Sequence, residues 1–275
     1  MRRLFATLVL AALAAALPAR AEYGRVPDSH IDPAALDIDE SKFLGTPLAP
    51  DLEFVAEDGR PFELRELLGK PVLLLFSYYS CDGACPTVNR RLAEAIAGAK
   101  RFQAGTDYQV LTVSFDRKDT PAGARNFVQV LGADAAATRA WRFALFANGA
   151  DIRRIAESVG YRYFWSVRDR VFVHPNVLIV LSPEGRVARY LPSWTIGPRD
   201  IELALIEADW NRITSTTRLL DIAAGICFSY NFKEGRYVLN APLFVAAGSL
   251  SIGFASVIAG FAVFRRSRRK EKRDA

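Results

Sequence analysis

The sequence predicts an α/β fold: a central mixed sheet flanked by helices, parallel in its first half and closed by an antiparallel hairpin, with one transmembrane helix near the C-terminus. Three observations carry this. Apolar, β-rich runs at 72–78 and 108–115 alternate with helical patterns at 87–99 and 120–131, and connections of that length imply parallel strands joined by right-handed crossovers. Two later runs, 177–181 and 187–191, flank the turn signal Pro183-Glu184-Gly185 and read as hairpin partners. Between Arg236 and Arg265 there is no charged residue. At about 1.5 Å of rise per residue that stretch can cross a hydrocarbon core of about 30 Å.

In chain order, residues 1–21 have the form of a secretory signal: Arg2 and Arg3, an apolar run too short to span a bilayer, then Ala19-Arg20-Ala21 as a small-residue cleavage site. Residues 22–50, rich in Pro, Asp and Ala, read as an extended N-terminal segment. The folded domain is placed at 51–210. It opens with a strand, a turn at Asp58-Gly59-Arg60-Pro61, a short strand at 62–64 and a helical turn at 65–68. The continuous apolar run from Val72 fits a strand buried on both faces. After the second βα unit come a strand at 141–147, a helix at 151–159 stopped by Gly160, an aromatic connection at 161–169 and a helix at 198–210. Residues 211–240 read as a linker, 241–264 as the transmembrane helix and 265–275 as a basic tail.

Charge fixes the expected topology. The tail carries seven basic residues against Glu271 and Asp274, so the positive-inside rule makes it cytoplasmic and puts the domain outside. The chain has 36 basic and 30 acidic residues; without the first 21 and last 11 residues, 26 basic stand against 28 acidic. An exported domain this close to neutral lacks the basic face that nucleic-acid binding needs, so no nucleic-acid partner is expected.

Three cysteines occur. Cys81 and Cys85 fall between the 72–78 strand and the following helix, with Pro86 where a first helical residue would sit. Partial positive charge at a helix N-terminus favours thiolate, hence a nucleophile or a metal ligand. A structural disulfide there would close a short loop and remove little unfolded-state entropy. The i, i+4 spacing puts both sulfurs one turn apart, where they can meet one metal ion, and soft thiolates suit monovalent copper. Zinc normally wants a fourth protein ligand, for which the sequence offers few candidates. His174, before the 177–181 strand, is the one histidine in the folded domain; His30 lies in the extended segment with no cluster around it. Cys227 reads as a buried apolar thiol or a third thiol near the membrane, and with Met1 the sole methionine a methionine-based copper site is excluded.

Cys81-x-x-x-Cys85-Pro86 after an apolar strand, Ser114-Phe115-Asp116 with Asp119-Thr120-Pro121, and Val173-His174 before a strand and a Pro-Glu-Gly-Arg hairpin together resemble the Sco/SenC family over about residues 50–209. The resemblance implies a membrane-anchored, thioredoxin-like copper-binding protein that assists assembly of the copper site of cytochrome c oxidase subunit II. It makes Cys81, Cys85 and His174 the copper ligands and Asp116 a second-shell or structural residue. Expected partners are subunit II or another copper oxidase subunit and other copper carriers. The expected location is a bacterial cytoplasmic membrane, with the domain in the periplasm. A cis His174-Pro175 bond facing the cysteines is a further expectation. Two features depart from the family: Asp82 stands where proline usually follows the first cysteine, and the anchor is C-terminal rather than N-terminal. The alternative functions are a thiol–disulfide oxidoreductase using Cys81 and Cys85, and a metal-free structural or sensory domain.

Overall fold

The computed structural model describes residues 36–81, 83–132, 140–209, 228–231 and 236–271. The expected signal segment, His30, Asp82, Cys227 and most of the 211–240 linker lie outside these residues.

A seven-stranded sheet runs in the order β2-β1-β5-β4-β3-β8-β9. It is built from β1 (Glu53–Ala56), β2 (Pro61–Glu63), β3 (Val72–Ser77), β4 (Gln109–Ser114), β5 (Trp141–Phe146), β8 (Val177–Leu181) and β9 (Val187–Pro192). β3, β4 and β5 are parallel, and β1, β2, β8 and β9 add antiparallel edges, so the expected mixed sheet is the observed one. Every residue of β3 is buried, as its unbroken apolar run requires of a strand covered on both faces. It sits between β4 and β8.

The helices α1 (Glu40–Phe43), α2 (Ala84–Gly98), α3 (Pro121–Leu131), α4 (Gly149–Ser158) and α5 (Pro198–Ala208) cover the sheet. Successive residues of β9 show the two layers, because side chains alternate across a strand. Arg189 reaches Glu207 of α5, while the Tyr190 hydroxyl donates to the Val159 carbonyl at 2.8 Å, just past α4. Thr120 caps α3 by accepting from the Gly123 N–H at 3.1 Å, with Pro121 as the first helical residue.

Four sequence expectations are corrected. Helix α2 begins at Ala84, so Cys85 is its second residue and Pro86 its third; with no intrahelical partner for the first N–H groups, proline is tolerated throughout that turn. The 161–169 connection contains half of a hairpin, β6 (Phe164–Ser166) with β7 (Val171–Val173), too short for alternation to reveal. The linker contains another, β10 (Phe228–Asn231) with β11 (Arg236–Leu239), which docks on α5: the Tyr237 hydroxyl donates to Glu207 at 2.6 Å and Arg199 covers the Phe228 ring at 4.0 Å. Finally, no peptide bond among the described residues is cis, so His174-Pro175 is trans, the form X–Pro bonds favour by about 0.5–1 kcal/mol.

Beyond β11, α6 (Ala241–Glu271) includes one stretch, Ala241–Ala262, long and apolar enough to cross a bilayer, with a mean hydropathy of 1.9.

Candidate functional site

The end of β3 carries the cysteines. After Ser77 the chain passes through Tyr78, Tyr79 and Ser80 to Cys81, and three anchors hold this crossing. The Tyr79 hydroxyl lies 2.8 Å from the Ala144 carbonyl and 3.0 Å from that of Thr112, pinning the segment beneath β4 and β5. The Tyr79 N–H donates to Asp119 Oδ2 at 2.6 Å, and the Ser114 hydroxyl donates to the same oxygen at 2.5 Å. A backbone contact from Ser80 completes the grip. Burial nevertheless pushes the Asp119 carboxyl up from its ordinary value, outweighing these donors.

On the helix side, buried Asn89 donates to the Cys85 carbonyl at 2.9 Å and accepts from the Thr112 hydroxyl at 3.0 Å, and the Trp141 indole N–H donates to Thr112 at 3.0 Å. This chain of polar contacts fixes the first turn of α2 against the sheet.

Cys81 and Cys85 are both free thiols, the first half-buried and the second buried. Their environments push them apart. Cys81 is brought down to about 6, chiefly by the hydrogen bond from the Cys85 thiol, then by the Tyr78 hydroxyl and the N–H groups of Cys85 and Gly83, against the cost of burial. Cys85 moves the other way, because its proton is held by the Cys81 sulfur and its surroundings are apolar. Tyr78 is raised by burial and by its bond to Cys81, so its hydroxyl stays a donor. The pair is a thiolate held by a neighbouring thiol, with the thiolate on the more exposed sulfur.

His174 leaves β7 and returns the chain to β8. Its ring stacks on Tyr161 at 6.0 Å and meets Phe115 and Tyr78 edge-on at 5.2 and 6.2 Å. Its Nδ1 lies 2.8 Å from the Tyr161 hydroxyl and 2.9 Å from the Pro175 carbonyl. Burial lowers its pKa, so the imidazole is neutral at pH 7 and able to act as a ligand. Cys85 and His174 line one cavity of about 10 Å³, with Ser77, Asn89 and Ser193 among its walls; this is room for about one water. The Ser193 hydroxyl is buried there without a hydrogen-bond partner among the described residues.

Of the residues singled out in the sequence, Cys81 and Cys85 therefore touch, and His174 shares a cavity with Cys85. Among the described residues no group of three His, Cys, Asp or Glu side chains is already gathered as a metal cage. Asp116 closes its own turn, accepting from the Lys118 N–H at 2.9 Å, and Asp119 is the carboxylate that reaches the cysteine segment. Sequence reading missed Tyr78, Asn89, Tyr161 and Ser193. Tyr78 and Asn89 lie on either side of the cysteines in the same stretch, whereas nothing local distinguishes Tyr161 and Ser193 from ordinary core residues.

A sheet of this order, with a reduced dithiol at the mouth of the helix after its central strand, defines a thioredoxin-like dithiol protein. The SCO1/SenC family model matches residues 42–205, and the chain belongs to that family. It is 25% identical over 195 residues to a candidate copper-binding protein of Stutzerimonas stutzeri, covering 67% of this chain and 85% of that one. Among solved structures, a candidate electron transfer protein of Aquifex aeolicus VF5 is 29% identical with a TM-score of 0.56, covering 61% of this chain and 95% of that one. A SCO1/SenC family lipoprotein of Bacillus anthracis str. Ames shares the fold at a TM-score of 0.50 and 22% identity, covering 60% and 99%.

Proposed function

We propose that this protein is a membrane-tethered copper carrier. The Cys81 and Cys85 sulfurs and the His174 imidazole take up copper, and the ion passes to the copper site of cytochrome c oxidase subunit II or another copper oxidase subunit. One observation carries the reading: two reduced cysteines in contact, one already thiolate-leaning, beside a neutral histidine on the same cavity as Cys85. The donor set fits the cargo. Two thiolates and an imidazole are the soft and borderline ligands that monovalent copper favours, and no hard carboxylate is needed. The likeness to the Stutzerimonas stutzeri protein supports the same chemistry. Capture releases the proton that Cys85 holds, and His174 has then to close on the sulfurs. The 1–21 signal, the 241–264 helix and the basic tail support a domain in the periplasm of a bacterium, anchored to the cytoplasmic membrane.

The test is copper uptake by the reduced full-length chain in detergent micelles. Wild type takes up one copper ion per chain, and Cys81→Ser, Cys85→Ser and His174→Ala each weaken it. Unchanged affinity in His174→Ala removes the three-ligand reading. The split between the two cysteines favours a second reading, a thiol–disulfide oxidoreductase in which the Cys81 thiolate attacks a partner disulfide and Cys85 resolves the mixed disulfide. That activity needs no His174, so turnover of a disulfide substrate by metal-free His174→Ala would favour it.

A further inference from the structure

We infer that Tyr161 is a positioning residue for His174, fixing the ring plane in which its Nε2 meets the copper held by the two cysteines. The inference rests on the copper reading above.

The local sequence explains why Tyr161 stands where it does. Helix α4 is followed by Gly160 at φ 72, a left-handed turn after which the Tyr161 N–H reaches back to the Ala156 carbonyl at 2.8 Å. The chain then turns inward and Tyr161 is fully buried, its ring packed on Phe76 at 4.6 Å and Phe115 at 5.8 Å. The hydrogen-bond partner of this enclosed phenol is Nδ1 of His174.

Two oxygens crowd that nitrogen. The Pro175 carbonyl can only accept, so Nδ1 carries the proton and donates to it at 2.9 Å, with the Tyr161 oxygen at 2.8 Å as the second acceptor of the same N–H. The opposite tautomer would set the Nδ1 lone pair against the carbonyl lone pairs. Protonation at Nδ1 leaves the lone pair on Nε2, which has no hydrogen-bond partner among the described residues. The carbonyl lies on the adjacent residue, in the same loop as the ring. Tyr161 lies on the other side, buried against Phe76 of β3, so its hydroxyl is the polar tie between the ring and the strand that leads to the cysteines. Partners of this kind, behind a ligating histidine, commonly govern metal affinity by about 10–100-fold.

The variant is Tyr161→Phe, which keeps the packed ring and removes one oxygen. In the full-length reduced chain in micelles, copper affinity, measured by competition with a coloured monovalent-copper chelator, falls about tenfold or more. The nitrogen hyperfine pattern of the divalent-copper form changes, while the His174 ring nitrogens of the metal-free protein keep their single-tautomer NMR signature, because the Pro175 carbonyl still holds the Nδ1 proton. The midpoint potential of the cysteine pair stays put. A thermal unfolding midpoint equal to wild type shows that the fold is intact. Unchanged or tighter copper binding with an unchanged hyperfine pattern overturns the inference. His174→Ala, measured alongside, separates the two failures: if it too binds copper like wild type, the three-ligand reading falls; if it binds weakly while Tyr161→Phe does not, only the positioning role falls. Where both hold, Tyr161→Phe has no further effect in the His174→Ala background.

Discussion

Asp119 is the test of how the cysteine segment is held. Its Oδ2 accepts from the Tyr79 N–H at 2.6 Å and the Ser114 hydroxyl at 2.5 Å. Asp119→Ala strands the Tyr79 N–H, whose residue is buried, at a cost of about 1–3 kcal/mol. Ser114 keeps a role, because its oxygen still accepts from the Asp116 N–H at 3.0 Å. Some of the loss is offset because the carboxylate no longer has to be desolvated. The net is a destabilisation of about 2 kcal/mol, or about 4–8 °C for a domain of this size. Asp119→Asn keeps an acceptor at the same place and loses about 1 kcal/mol or less. The two also differ in pH dependence. The folded-state pKa of Asp119 is raised, so the folded protein holds that proton more tightly than the unfolded chain. Wild-type stability therefore falls as pH rises from the ordinary carboxyl value of 3.8 through the folded pKa, a slope that Asp119→Asn lacks. Near-UV circular dichroism melts of the two variants decide the matter, with alkylation of Cys81 reporting on the loop itself. If Asp119→Ala melts with wild type, or Asp119→Asn is equally damaged, the carboxylate is not the clamp described.

Three further outcomes follow from the same contacts. The alkylation rate of Cys81 rises with pH and is half-maximal near about 6, while Cys85 stays unmodified at neutrality; Tyr78→Phe removes a donor to the thiolate and moves that midpoint upward, and a midpoint near the ordinary thiol value in wild type would contradict the pairing. Gly160→Ala must hold φ 72 and place its Cβ 2.6 Å from the Phe43 ring, so it destabilises by about 2–4 kcal/mol, read as a denaturation midpoint. Tyr237→Phe removes the bond from β11 to Glu207, and hydrogen exchange in Arg236–Leu239 speeds up about fivefold, equivalent to about 1 kcal/mol, with the domain's melting temperature unchanged; no change in exchange would mean the hairpin is held by other contacts.

The sequence was most legible where one chemical demand dominates. The all-apolar run of β3 could be nothing but a covered strand, and the βαβ spacing with the Pro183-Glu184-Gly185 turn gave the parallel strands and the closing antiparallel hairpin. The cysteine pair announced itself because thiols at a helix mouth have few other uses. What was hidden depends on contacts far apart in the chain. Asp119 entered the sequence reading only as part of the Asp119-Thr120-Pro121 motif, and only the fold brings it to Tyr79, 40 positions earlier. Tyr161 and Asn89 have the composition of core residues, and their polar ends acquire meaning only beside His174 and Cys85. The hairpins β6–β7 and β10–β11 are three or four residues a side, too short for periodicity to show.

The most direct test of the central claim is the copper affinity of the reduced full-length chain set beside that of Cys81→Ser, Cys85→Ser and His174→Ala. The wild-type chain is expected to bind one ion, and each variant to lose about tenfold or more in affinity, the cysteine variants most. A wild-type protein that binds no copper, or one whose binding survives the loss of either sulfur, would contradict that claim.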